Sequence, residues 1–516
     1  MSTDLKSKSP LTAPMTNHDI AYRLHAKAIR FRRIGPTLFN MHGAASKANA
    51  DSSVIKKHQA ADSADSQSLD RKLTERQLAM LALGGAIGVG LFLGTSITVQ
   101  LAGPGVILSY LLGAVIAMIV AYALAEMAVV HPVSGAFGIY AETYLSKWAG
   151  YAVRATYGLV QIIAIGAEVT AIAIYFGFWF PHIPQWFWVS SASVALVAMN
   201  SLQVGRFGEF EYWFALIKVA AIITFIAVGA ALIFGFGPKP PLGLKNLTAV
   251  GGFFPFGFKG VWLALTLALT SYMGLEVIAV TAGEAQHPEK SIPKAMRTIV
   301  FRLVFFYVLA VTAMLAMTPW AQLGSETGIA GSPFVRGFSS IGIPYAAGIM
   351  NLVVITAALS SCNTDLYLTT RMIFSLSRGG YAPSWIGLLS GNRVPHRALA
   401  LSTLGMIAAI LLAVWAPSRA FLMLYGVAVA GMFFVWMVIL ITHLRFRKSL
   451  SSTAASQLPM KLAFSPYSNW LGITALSAIT LTTFYVEGLQ YSVPAFLPFL
   501  LLLSVWYWTS SRIPTR

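Results

Sequence analysis

Residues 81–94 read LALGGAIGVGLFLG, a run with no charge and no hydroxyl that holds Gly84, Gly85, Gly88, Gly90 and Gly94. Apart from proline, glycine weakens a helix more than any other residue. Its density here must serve something a uniform helix would not, and two uses fit. Gly84 to Gly88 and Gly90 to Gly94 are both GxxxG spacings, which let membrane helices approach closely. Gly88-Val89-Gly90 can also leave helical geometry cheaply, freeing backbone N–H and C=O groups that must find a partner in a medium without water. The two uses are compatible.

The medium follows from composition. The 516 residues are 57% hydrophobic and only 10% charged, more apolar than one water-soluble core can hide. Apolar runs of bilayer length, about 20 residues each, recur after residue 76. The predicted fold is an all-α polytopic membrane protein with about twelve transmembrane helices. Their limits are 78–102, 105–130, 153–180, 186–204, 211–236, 257–283, 297–320, 343–375, 398–416, 419–443, 467–487 and 491–510.

Charge then tests the placement. The net charge of +18 would suggest nucleic acid in a soluble chain, but here the basic residues gather on particular loops and in the N-terminal tail. Alternate loops hold Lys290, Lys294 and Arg297, then Arg371, Arg378, Arg393 and Arg397, then Arg445, Arg447 and Lys448. The loops between them hold scattered residues such as Lys239, Lys245, Arg336 and Arg419. The positive-inside rule makes the rich loops cytoplasmic, with both chain termini, Arg512 and Arg516 included. Residues 1–72 are predicted to be a disordered, basic cytoplasmic tail and 73–512 the transmembrane domain. Within the tail, 26–39 is basic with interleaved apolar residues and could lie on anionic membrane lipids; the plainer reading is a solvated tail that helps orient the chain. The single cysteine, Cys362, excludes an intrachain disulfide and a cysteine metal cage. No HExxH, paired-histidine spacing or P-loop is present, so the reading is not an enzyme and names no metal or cofactor.

A second span is interrupted like the first. The sixth, LALTLALTSYMGLEVIAVTAGEA (263–285), sets Ser271, Tyr272, Gly274 and Glu276 in an otherwise apolar run. Interrupted spans at matching positions of two halves point to a transporter with inverted repeats. The spacing gives repeats of five helices over about 78–236 and 257–443, with extra helices over 467–510. A zwitterionic amino acid suits two such breaks: its carboxylate meets freed N–H groups and its ammonium meets carbonyls.

Five stretches in order then carry a family likeness: LGGAIGVGLFLGT (83–95), LAEMAVVHPVSGAFGIYAE (124–142), GEFEYWFALIKV (208–219), GLEVIAVTAGEAQHPEKSIPKA (274–295) and NTDLYLTTRMIFSLSRGGYAP (363–383). From about 70 to 450 the chain resembles the amino acid transporter branch of the amino acid–polyamine–organocation (APC) superfamily. The resemblance implies the broken-helix fold, a plasma-membrane location and uptake usually driven by protons. It implies that Ala86, Ile87, Gly88, Val89 and Gly90 form the unwound part of the first span, whose backbone takes the substrate carboxylate. Ser271, Tyr272, Gly274 and Glu276 match the unwound part of the sixth, where carbonyls meet the amine and Tyr272, placed at the break, reads as a gate. The stretch from Glu284 to Lys294 resembles the family's conserved cytoplasmic loop, read as gating structure without substrate contact. The chain departs from the family at YAVRATYGLVQ (151–161), with Arg154 and Tyr157 where small or Trp residues are common, and at Asp365, where neutral residues are commoner.

Ionisable residues inside spans are costly, so each is a functional candidate. Glu168 lies about 14 residues past Arg154, roughly 21 Å along the helix, and could neutralise a substrate amine, carry a proton or simply bond a neighbouring helix. Lys218 could snorkel to the interface. It could instead face the broken first span, standing where sodium-coupled relatives place a cation, and exchange a proton; the resemblance supports this role. Glu276 could accept bonds from N–H groups freed by the second break, and Asp365 could pair with Lys218 or reach substrate. Lys218, Glu276 and Asp365 thus form the predicted coupling or charge network. Glu126, ahead of His131 and Pro132, reads as a loop anchor. The predicted function is a secondary amino acid permease working as a proton symporter by alternating access. An exchanger, a γ-aminobutyrate- or polyamine-type carrier, or a non-transporting sensor are the alternatives.

Overall fold

The computed structural model describes residues 73–510 except 134, 203, 237–239, 324–331, 336–344, 392 and 418. The tail over 1–72, the basic stretch 26–39 included, lies outside the described residues, as do Lys239, Arg336, Arg512 and Arg516.

Helices lie at all twelve predicted positions. The first span is three pieces, α1 (Glu75–Ala86), α2 (Val89–Phe92) and α3 (Gly94–Ala102). The long helix α4 (Val106–Val130) follows. A short helix, α5 (Ala136–Tyr144), then fills what the sequence reading left as a loop, and seven of its residues are buried, Phe137, Ile139 and Tyr140 among them. Next come α6 (Lys147–Phe176), α7 (Gln185–Asn200) and α8 (Val204–Phe234). Ser146 caps α6 by accepting from the Ala149 N–H at 3.1 Å, so the third span starts before the predicted 153.

The sixth span is α9 (Gly257–Thr270), a turn through residues 271–276, and α10 (Val277–Val280). After it run α11 (Pro288–Met317), α12 (Ala346–Arg378), α13 (His396–Ser402), α14 (Leu404–Trp415), α15 (Ala420–Ser449), α16 (Tyr467–Thr482) and α17 (Ser492–Ser510). By length and composition, seven helices among the described residues can cross a membrane, and Gly257–Thr270 and Val304–Met317 are shorter apolar helices. The count falls below twelve partly because breaks cut the first and sixth spans into pieces. This is a polytopic helical membrane protein.

α6 is the axis of the bundle, packed along α12 and α15, with α14 and α5 also against it. The interrupted first and sixth spans pair with one another, α9 lying along α3 and α10 against α1. Strand pairing among the described residues is limited to one isolated parallel bridge, Leu73 with Ala285, which ties the start of α1 to the segment after α10.

Candidate functional site

Both predicted breaks are present, and they differ in cause. After α1 ends at Ala86, Gly88 adopts an extended conformation (φ −135°, ψ −155°) and α2 restarts at Val89. Here glycine is required by space rather than by φ. A Cβ on Gly88 would come within 2.2 Å of the Ser361 Oγ, and one on Gly90 within 2.9 Å of the Ser271 Cα. In the sixth span Gly274 has φ +99°, a left-handed region that other residues enter only with strain. The Gly274 N–H donates to Glu276 Oε2 at 3.1 Å, so the Glu276 carboxylate holds the turn that replaces the helix. The close-packing reading of the glycines is answered in part: Gly88 and Gly90 sit in close contact, whereas a Cβ on Gly94 would meet nothing within 4 Å. The Gly90–Gly94 spacing therefore does not mark a helix–helix seam.

Between the breaks lies a cavity of about 540 Å³, its mouth included. Of the predicted site residues, Gly88, Val89, Gly90, Ser271, Gly274, Glu168 and Asp365 line it. Ile87 and Tyr272 are buried beside it without lining it. Tyr272 departs from the reading that made it a gate at the cavity. Its hydroxyl donates to the Tyr110 carbonyl at 3.0 Å and its ring stacks on Tyr307 at 4.8 Å, within a tyrosine cluster behind the break. Tyr307 in turn donates to the Ser271 carbonyl at 2.7 Å, so the cluster fixes the end of α9.

The Ile87 carbonyl, freed where α1 stops, accepts from Lys218 Nζ at 3.1 Å. Lys218 is fully buried on α8, so it reaches the first break rather than snorkelling to an interface. Glu168 accepts from the Ser361 hydroxyl through Oε1 at 2.6 Å, while its Oε2 has no hydrogen-bond partner among the described residues. Asp365 stands beside Gln161 of α6.

The sequence reading missed several groups here. Gln161, Thr270, Ser361 and Tyr425 supply the remaining polar lining, and Tyr425 and Thr270 share a hydrogen bond. Glu211 is a further buried carboxylate, receiving hydrogen bonds from Ser360 and, at 3.2 Å, from Asn363, which itself accepts from Asn200 at 2.8 Å. It lies seven residues before Lys218, about two turns along α8 and so on the same face. Helical spacing within GEFEYWFALIKV (208–219) was the signal that could have found it.

At the end of the bundle where α1 begins, charges are paired. Arg371 of α12 donates to both oxygens of Glu284, at 3.1 and 3.4 Å, and lies over the Tyr367 ring at 3.6 Å. Glu284 stands in the Glu284–Lys294 stretch read as gating structure, and its carbonyl also accepts from the Leu73 N–H at 3.1 Å. Lys294 reaches Glu75 at 3.4 Å. Arg154, the unusual residue of the third span, pairs with Glu142 of α5, which also accepts from Tyr381 at 3.0 Å. Burial and the Glu142 carboxylate push the Tyr381 phenol above its ordinary range. Glu126 pairs with Arg447 and accepts from the Leu462 N–H at 2.8 Å, so it anchors a loop as expected. Nearby, burial pushes the His131 imidazole down to about 4, and its Nε2 bonds the Tyr144 hydroxyl at 2.7 Å.

A bundle of helices with two facing breaks around a cavity that carries both polar and apolar lining defines a membrane transporter of the broken-helix class. The amino acid permease family matches residues 77–511, and the chain belongs to that family. It is similar to the uncharacterized amino acid permease YtnA of Bacillus subtilis (strain 168), at 40% identity over 86% of this chain and 95% of the relative. From the same organism, the probable threonine/serine transporter YbxG is 38% identical over 85% of this chain and 95% of its own length. The gamma-aminobutyric acid permease is 37% identical over 82% and 89%.

Proposed function

We propose that this permease imports an amino acid by proton symport, with the substrate held between the two breaks and Lys218 as the residue that couples the proton. The observation that carries the reading is the bond from the fully buried Lys218 to the Ile87 carbonyl. An ammonium there offsets the free C-terminal end of α1, where carbonyls carry partial negative charge. Loss of its proton would weaken that hold and change the shape of the first break. Substrate carboxylate would meet the backbone of Gly88 to Gly90, and the amine the Ser271–Gly274 turn and Glu168. The pairs at the α1 end, Glu284–Arg371 above all, would open and close access to the cavity. The loop charges support a reading with that end and both termini on the cytoplasmic side of the plasma membrane. Repeats over about 78–236 and 257–443 are supported by the five-span interval between the breaks.

The test is uptake of labelled amino acids into proteoliposomes, with and without an inward proton gradient, for the wild type and Lys218→Ala. Gradient-driven accumulation should be lost in the variant while counterflow exchange survives. Wild-type uptake indifferent to the gradient would point to an exchanger, and folded protein that binds amino acid without flux would point to a sensor.

A further inference from the structure

Among the described residues, the middle of the bundle holds more carboxyl groups than basic side chains. Glu168, Glu211, Glu276 and Asp365 surround the breaks, and the cation the structure sets among them is Lys218. Arg154 and Arg371 are each engaged by a carboxylate of their own, Glu142 and Glu284. Glu211 and Glu276 are committed as well, one to Ser360 and Asn363 and the other to the Gly274 N–H. The remaining two, Glu168 and Asp365, both face the cavity.

Their positions are not equivalent. Glu168 is joined to Ser361, the side chain that a Cβ on Gly88 would strike, and so lies level with the first break. Asp365 lies four residues further along α12, about 6 Å away along the axis. From 360 to 375 every residue of α12 is buried except Asp365, which is partly exposed to the cavity. Its companion across the gap is Gln161, an amide that adds no charge.

We propose that Asp365 is a side-chain subsite, and that the substrate is an α-amino acid whose side chain ends in a cation. This rests on the amino acid permease reading above. The α-ammonium lies at Glu168 and the break of the sixth span, and the side chain runs one helical turn along α12 to place its own cation at Asp365. A chain the length of that of ornithine or lysine spans the distance. Such a substrate brings two positive charges to two carboxylates, while its α-carboxylate faces the first break. With a neutral amino acid bound, the cation near Asp365 is Lys218, which Glu168 and Glu211 share, and a charge on Asp365 is then costly in a low-dielectric site. A proton on Asp365 is the other way to offset that charge, and the experiment separates the two.

Purified full-length protein in proteoliposomes is assayed with labelled lysine, serine and phenylalanine, for the wild type, Asp365→Asn and Asp365→Glu, each checked for folding by its melting temperature in detergent. The wild type should take up lysine with a lower KM than the neutral amino acids. Asp365→Asn should raise the lysine KM at least tenfold without raising that of serine or phenylalanine, and Asp365→Glu, which keeps the charge, should recover part of the loss. If lysine is neither carried nor competes with a neutral amino acid that is carried, the proposal is wrong and the permease reading stands. Loss of gradient dependence in Asp365→Asn with an unchanged KM for lysine would assign Asp365 to proton movement and also overturn it. If no amino acid of either charge class moves or binds, the permease reading itself fails and this one falls with it.

Discussion

Two sets of carboxylates share this bundle and are built differently. Glu126, Glu142 and Glu284 each meet an arginine from another element, Arg447, Arg154 and Arg371. Glu168, Glu211, Glu276 and Asp365 are met by hydroxyls, amides and backbone N–H groups, with Lys218 as the cation among them. An arginine fork fixes a carboxylate in place and neutralises it, which suits a tie between helices. A carboxylate held by a hydroxyl keeps its charge available for a ligand or a proton. The first set ties elements together, and of the second Glu168 and Asp365 face the cavity.

The contrast predicts where substitutions should be felt. Arg371→Ala would leave Glu284 buried without its counter-ion and should cost about 3–5 kcal/mol, read as a fall in melting temperature of the detergent-solubilised protein. Arg371→Ala combined with Glu284→Ala should recover part of that loss. An Arg371→Ala protein as stable as the wild type would remove the distinction between ties and free carboxylates. Glu168→Gln should behave in the opposite way. It keeps the bond to Ser361, so the melting temperature should change by no more than the equivalent of about 1 kcal/mol, whereas the KM for the transported amino acid should rise at least tenfold. A large loss of stability with an unchanged KM would place Glu168 with the ties.

The smallest effect sharpens the paired end. His131 is held by burial at about 4, below the ordinary 6.5. The unfolded chain therefore takes up a proton near 6.5 that the folded chain refuses until about 4. The contribution of neutral His131 is complete above pH 6.5 and is lost as pH falls towards 4, by about 1 kcal/mol between pH 7 and 5.5. Melting temperatures across that range should fall less steeply in His131→Asn; equal slopes would show that another group sets the acid sensitivity.

Much of this was legible in the residues, for reasons that can be named. Apolar length gave the twelve helical positions, because a bilayer core sets how long a span must be. The glycines at 88 and 90 and the polar turn at 271–276 gave the breaks, because local conformational cost is written in residue type. α5 was missed because a short apolar helix that spans nothing looks like a loop between long ones. Tyr272 was set at the cavity because it is adjacent to the break in sequence, yet its ring turns away into Tyr110 and Tyr307.

The sequence by itself determined a membrane protein of many helices, interrupted at the first and sixth spans, with Glu168, Lys218, Glu276 and Asp365 within its spans. Those are consequences of hydropathy and of backbone cost, both local. Only the tertiary structure decided which of these groups meet: that Lys218 reaches the Ile87 carbonyl, that Glu276 closes its own turn, and that Glu168 and Asp365 share a cavity with Ser361 and Gln161. Lys218 and Glu168 take their partners from more than a hundred residues away in the chain. Helical spacing says which face a residue lies on, and only packing says which face it meets.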